Sequence, residues 1–250
     1  YIDDEKFIMN LFGNDLILKK KNIVSNLPDG ADCLAAAELC NYFSKILIIL
    51  RDDIRLARFS QSLKIINDNI DIIEFPAWDC LPFDKNSPNQ KLIGKRVRAL
   101  SRLVNPNAKN TIILSTIGSV IQKIPNQDFI KKSSKRVHSG QNIPQRELIN
   151  FFENNGYIRT NTVREDSEYS LRGSILDVYP PGENYPVRID FFGDVIDSLR
   201  VFDPISQLSL NNINFINFNA GNEIILTDQS IDLFRKNYRE IFNDEFDKSV

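Results

Sequence analysis

One histidine, His138, and three cysteines, Cys33, Cys40 and Cys80, are all that 250 residues offer for a soft metal site. A structural zinc needs four such ligands, commonly in close Cys-x-x-Cys pairs, and no such pair occurs. An odd, sparse cysteine count excludes a disulfide framework and points to a reduced, cytoplasmic setting. Cys33 and Cys40 lie on an expected helix and read as small buried apolar residues. No apolar run approaches the roughly 20 residues that span a bilayer; the longest, "ILIIL" at Ile46–Leu50, is strand-sized. No secretory leader is visible, and the chain opens on Tyr1 and stops in "NDEFDKSV", as a fragment of a longer protein would. Excess positive charge is missing too: the formal net charge is −2 and the pI about 5.6. Non-specific nucleic-acid binders rely on a basic surface. One local basic cluster, Lys131, Lys132, Lys135 and Arg136, reads either as a DNA contact or as a solvated linker between domains.

The catalytic signatures are missing as well. A phosphate loop needs flexible glycines, a lysine and a Ser/Thr at the start of a helix. The stretch in the right place, Leu27-Pro28-Asp29-Gly30-Ala31-Asp32-Cys33, has one glycine and no lysine. Asp29 and Asp32 would cap the helix and repel a triphosphate. No Asp-Glu pair closes an apolar strand to hold magnesium, and no GxSxG, HExxH or GxGxxG occurs. Neither catalysis nor a cofactor is expected of these 250 residues.

What is present is a change of pattern near Lys131. Before it, strand and helix segments alternate: a short strand at Asn22–Leu27, a helix at Asp32–Phe43, "ILIIL" as a strand buried on both faces, a helix at Asp52–Ile66, a strand at Ile70–Phe75. A proline-rich loop, "PAWDCLPFDKNSPN", leads to an amphipathic helix at Gln90–Val104, a strand at Thr111–Thr116 and the short helix "IGSVIQKI". Such alternation predicts an α/β domain, a parallel sheet covered by helices. Phe75, Trp78 and Phe83 in and beside the loop read as packing groups or as stacking platforms for bases. After Lys131 come a helix at Pro144–Gly156 and the extended segments "YIRTNTV", "GSILDVYP", "YPVRIDFF" and "VIDSLRVFD". They predict a small α+β domain with an antiparallel sheet. "NNINFINF" reads as the return to the first domain, and Thr227 or Asp228 as the N-cap of a last helix. The expected domains are therefore 1–133, 134–220 and 221–250.

The segment Val187–Phe192 alternates strictly. Val187, Ile189 and Phe191 form a core face; Arg188, Asp190 and Phe192 share the other. A two-residue turn at Gly193-Asp194 would pair Phe192 with Val195, Asp190 with Asp197 and Arg188 with Leu199. A phenylalanine on a charged face is either half covered by the helix Pro144–Asn155 or part of a protein-binding patch, where arginine and aromatic residues are the usual anchors. Arg172, just before Gly173, would join that patch from a neighbouring strand end.

At these residues the sequence resembles a known family. "EYSLRGSILDVYPPGENYPVRIDFFGDVIDSLRVFDPISQLSL" is similar to the N-terminal region of the bacterial transcription-repair coupling factor (Mfd) family and, more distantly, to the excision-repair protein UvrB. "FPAWDCLPFDKNSPNQ" looks like that family's "ADWETLPYDSFSPHQ", and "LTDQSIDLFRKNYREIF" like its following helix. The resemblance implies a degenerate helicase-type α/β domain that has lost its nucleotide motifs. It also implies an inserted small domain that binds UvrA through two arginines and a phenylalanine, matching Arg172, Arg188 and Phe192. The long DNA-gripping hairpin of UvrB has no room here, since "SPNQKLIGKRVRAL" runs straight into a helix. The RNA polymerase-binding and DNA-translocating parts of the family would lie beyond Val250. The turn Gly193-Asp194 departs from coupling factors that carry two acidic residues there.

Overall fold

The computed structural model describes residues 25–80, 85, 88–104, 110–225 and 228–242. Compactness divides the chain into two units: 1–78 with 102–123, and 79–101 with 124–250. This differs from the expected domains, chiefly because 79–101 and 221–250 fall in the second unit.

The first unit is a three-stranded parallel sheet, order β1 (Lys45–Leu50), β3 (Thr111–Thr116), β2 (Asp71–Phe75). Helices α1 (Ala31–Leu39) and α2 (Asp53–Ile66) cover one face. Leu56, Phe59 and Leu63 of α2 bury against Leu50, Ile112 and Leu114, with Cys33, Ala36 and Cys40 from α1's side. Asp52 caps α2 by accepting the Arg55 N–H at 2.8 Å. Burial pushes the Cys33 and Cys40 thiols up, as befits cysteines that pack rather than react. The strand "ILIIL" is not buried on both faces: Leu47 and Ile49 are about half exposed, and among the described residues β1 is an edge strand of the sheet. At the expected first strand, Ser25–Leu27 are irregular and Asn22–Val24 lie outside the described residues.

Helix α3 (Gln90–Val104) gives its first three turns to the second unit. The reason is local. Its Arg96 is fully buried in a two-pronged ion pair with Glu223. A Cβ on its Gly94 would sit 2.5 Å from the backbone nitrogen of Gly182. Periodicity alone does not reveal either partner.

After α4 (Ile117–Val120), which belongs to the first unit, the second unit also holds, in order, α5 (Gln127–Lys132), β4 (Lys135–His138), α6 (Gln145–Asn154), β5 (Ile158–Arg159), β6 (Glu168–Arg172) and β7 (Ile175–Val178). The run ends with β8 (Val187–Phe192), β9 (Val195–Phe202), β10 (Ser209–Ile213), β11 (Phe215–Phe218) and α7 (Asp228–Phe242). Strands β10-β9-β8-β7-β6-β5 form one sheet, antiparallel except for the short β5–β6 pair. "NNINFINF" does not leave this unit: β10 extends the sheet, and β11 pairs with β4. Asp228 is the first residue of α7 rather than its cap, and Thr227 lies outside the described residues.

The core lies between α6 and one face of the sheet. Leu148 and Phe152 of α6 bury with Leu176, Val187, Ile189 and Phe191. The Phe152 ring sits 4.8 Å from that of Tyr157 and 5.0 Å from that of Phe218. Gly156, at φ 78°, follows the C-cap and lets the helix stop.

Candidate functional site: the outer face of the six-stranded sheet

The alternation along β8 is real. Val187, Ile189 and Phe191 are buried on the inner face. The outer face is not covered by α6, which packs on the opposite side of the sheet. Phe192 is 82% exposed, and Val195 opposite it is partly exposed. The helix-covered alternative for Phe192 is thereby removed.

The geometry of the sheet end explains why the phenylalanine stays there. Gly193 at φ 61° starts a two-residue turn that closes Phe192 against Val195. Gly173, also at φ 61°, closes the neighbouring turn of Arg172 against Ile175. Asp194 and Ser174 do not take positive φ, so both turns carry glycine at the first central position, as type II′ hairpins do. The Phe191 N–H donates to the Ser174 carbonyl at 2.9 Å, which holds the two turns side by side. Segment 140–143 braces the same end. The Ile143 N–H donates to Asp194 O at 2.7 Å, and the Gly140 N–H to Ile196 O at 2.8 Å.

The hairpin register departs from the regular one. A bulge between Asp190 and Phe191 leaves Phe192 opposite Val195, as expected, but sets Asp190 opposite Ser198 and Arg188 opposite Arg200. Two like charges face each other across the strands, an arrangement that destabilises a sheet unless offset. Two aspartates offset it. Asp177 on β7, whose side chain has no exposed surface, receives Arg188 through Nε at 2.7 Å and Nη2 at 2.9 Å. The same carboxylate receives Arg172 Nη2 at 2.6 Å. Asp190 receives Arg200 and the Ser198 hydroxyl.

Arg172 and Arg188 are thus brought together, on one buried carboxylate. They differ in what remains free. The Arg188 guanidinium lies 4.7 Å over the Phe202 ring, and its side chain is only 16% exposed. The Asp177 hydrogen bonds push its pKa up further, so it is a permanent cation. The Arg172 side chain is 51% exposed. Asp177 and Arg200 were not among the residues singled out from sequence. Asp177 had one signal, a lone charge inside the apolar strand "SILDVYP"; Arg200 had none until the bulge set its register.

The other candidates are not assembled into a site. Lys131 and Lys132 end α5, while Lys135 and Arg136 alternate on β4 and so point to opposite faces. Lys135 pairs with Glu147 at 2.7 Å; Arg136 bonds Asn217 and lies 4.7 Å over Phe215. At the start of α1 the N-cap is Gly30, without a side-chain cap, so Asp29 and Asp32 do not cap the helix. Asp32 sits in the first turn, accepts the Cys33 N–H at 3.0 Å and pairs with Arg55. Phe75 is buried, Trp78 is partly buried, and Phe83 lies outside the described residues. Among the described residues no group of three His, Cys, Asp or Glu side chains is placed to hold a metal, and no helix is long and apolar enough to cross a membrane.

Comparison with known proteins matches the domain that carries this face. Residues 136–223 match the family model of the UvrB interaction domain. Over 89% of its length the chain is 34% identical to the transcription-repair-coupling factor of Haemophilus influenzae and 28% identical to that of Escherichia coli. It is 24% identical to that of Bacillus subtilis over 90% of its length. The chain spans about a fifth of each of these relatives, 19% in all three cases.

Proposed function

We propose, from the premise that the chain carries a UvrB interaction domain, that it is a non-catalytic recruitment module. It docks UvrA and so links stalled transcription to nucleotide excision repair in the bacterial cytoplasm. In this reading the first unit is a degenerate helicase-type domain that binds no nucleotide and needs no cofactor. The small α+β domain at 134–220 is the docking element. RNA polymerase and DNA are partners of the whole coupling factor rather than of these residues.

The observation that carries the reading is Phe192, an 82% exposed aromatic at a glycine turn beside an arginine cluster. A lone exposed apolar side chain is ordinary; what supports the reading is that this aromatic stands on the same sheet face as the Arg172–Asp177–Arg188 cluster, the pairing of residue types that anchors protein interfaces. Phe192 would enter an apolar pocket on UvrA, and Arg172 and Arg188 would meet carboxylates at its rim. Burying a phenylalanine contributes roughly 1.5–3 kcal/mol, and aromatic and arginine anchors dominate interface energetics.

The test is calorimetric titration of the 250-residue chain into purified UvrA, for wild type and Phe192→Ala. Binding by wild type and its loss in a folded mutant supports the reading. Equal binding by both moves the interface elsewhere, and absence of binding by wild type defeats it.

A further inference from the structure

We infer that Arg200, beside Arg188, is a further partner-contacting residue of the docking face. This rests on the recruitment reading and sharpens it. The three arginines of the face are held in different ways. Arg188 is gripped by both edges of its guanidinium: Nε and Nη2 are on Asp177, and Nη1 points to the Gln207 carbonyl at 3.4 Å. Phe202 lies beneath it, and little of its side chain reaches solvent. Arginine carries five donors in one planar fork, and at Arg188 three of its nitrogens are directed at the protein itself.

Arg172 and Arg200 lie on either side of Arg188, each held through a single nitrogen. The Arg200 side chain is 37% exposed, and its Nε is buried without a hydrogen-bond partner, so among the described residues its grip on the sheet is Nη2 on Asp190. Its outer N–H donors remain available to a ligand. Asp190 is itself fixed by the Ser198 hydroxyl at 2.9 Å, which orients the fork rather than leaving it to swing. The face therefore offers two open arginine forks, on β6 and β9. From sheet spacings their Cα atoms are about 16 Å apart. Phe192 projects at the hairpin end of the same face.

The partner chemistry that fits is a protein surface with two separated carboxylates flanking an apolar pocket, since arginine forks pair best with carboxylates through two parallel hydrogen bonds. A lysine in place of Arg200 keeps the charge and loses the fork.

The experiment titrates purified UvrA with the 250-residue chain, comparing wild type, Arg200→Ala, Arg200→Lys and Arg200→Glu, with melting temperatures measured alongside. The inference expects wild-type binding, a loss of about ten-fold or more for Arg200→Ala, a smaller loss for Arg200→Lys and the largest for Arg200→Glu, all at near-wild-type melting temperature. If Arg200→Ala lowers the melting temperature, Arg200→Lys, which still faces Asp190, decides. Wild-type binding that the folded Arg200 variants match within two-fold overturns the role of Arg200 and leaves the recruitment reading standing. Failure of wild type to bind overturns both.

Discussion

The two faces of the six-stranded sheet are built from the same strands and do opposite work. On β8, Val187, Ile189 and Phe191 close a core with Leu148 and Phe152, while Arg188, Asp190 and Phe192 face outward. The inner face is held by apolar burial, which is non-directional and tolerant of small rearrangements. The outer face is held by directional ion pairs on Asp177 and Asp190. The difference teaches that stability and recognition are interleaved residue by residue here, with a period of two. A single-residue slip in register would exchange them. The bulge at Asp190/Phe191 and the paired glycine turns fix that register.

Substitutions at Phe152 and Phe192, one on each face, should therefore separate stability from binding, while Asp177, buried on the outer face, ties the two together. The largest loss of stability is expected at Phe152, whose ring packs between Tyr157, Tyr169 and Phe218. Phe152→Ala should lower unfolding free energy by about 3–5 kcal/mol, measured by urea titration. A smaller loss would mean the inner face is not the main core of this unit. Next is Asp177→Ala, which leaves Arg188 partly buried without its carboxylate. A loss of about 3 kcal/mol is expected, accompanied by loss of partner binding, because both Arg172 and Arg188 are released. A stable Asp177→Ala variant that still binds would break the link between the buried carboxylate and the docking face.

Phe192→Ala is the sharpest contrast to Phe152→Ala. Its stability change should stay within about 0.5 kcal/mol, as for other exposed positions. Its affinity for UvrA should fall by about 2 kcal/mol, or some thirty-fold.

The smallest effect concerns Asp166, away from both faces. Burial raises its pKa, opposed by the Gly182 N–H that it accepts at 3.1 Å. A carboxyl whose folded pKa lies above its unfolded one contributes stability that is full in acid and lost as pH rises through the folded pKa. Asp166→Asn, neutral at every pH, should raise the melting temperature at pH 7 slightly, and the gap should close on acidification. A gap that widens in acid would reverse the assigned sign.

Much of this was legible in the sequence, and the exceptions have physical causes. The alternation Val187–Phe192, the Gly193-Asp194 turn and the strand Thr111–Thr116 follow from local periodicity and turn chemistry, and the structure has them. Long-range pairings were not legible. "ILIIL" reads as buried on both faces, yet nothing in five apolar residues says that β1 will be an edge. "NNINFINF" carries no mark that its two strands will join different sheets. Arg200 was hidden by one extra residue: without the bulge it would not stand opposite Arg188. The charged outer face was visible, and the resemblance pointed to Arg172, Arg188 and Phe192. The carboxylates that hold the arginines appear only when β7, β8 and β9 are laid side by side.

The central claim is that the outer face recruits a partner while the inner face holds the fold. Calorimetric titration of purified UvrA with wild type and Phe192→Ala, each checked by circular dichroism, tests it most directly. The account predicts tight binding by wild type and roughly thirty-fold weaker binding by an equally folded Phe192→Ala. Equal affinities for the two proteins, or no binding by wild type, would contradict it.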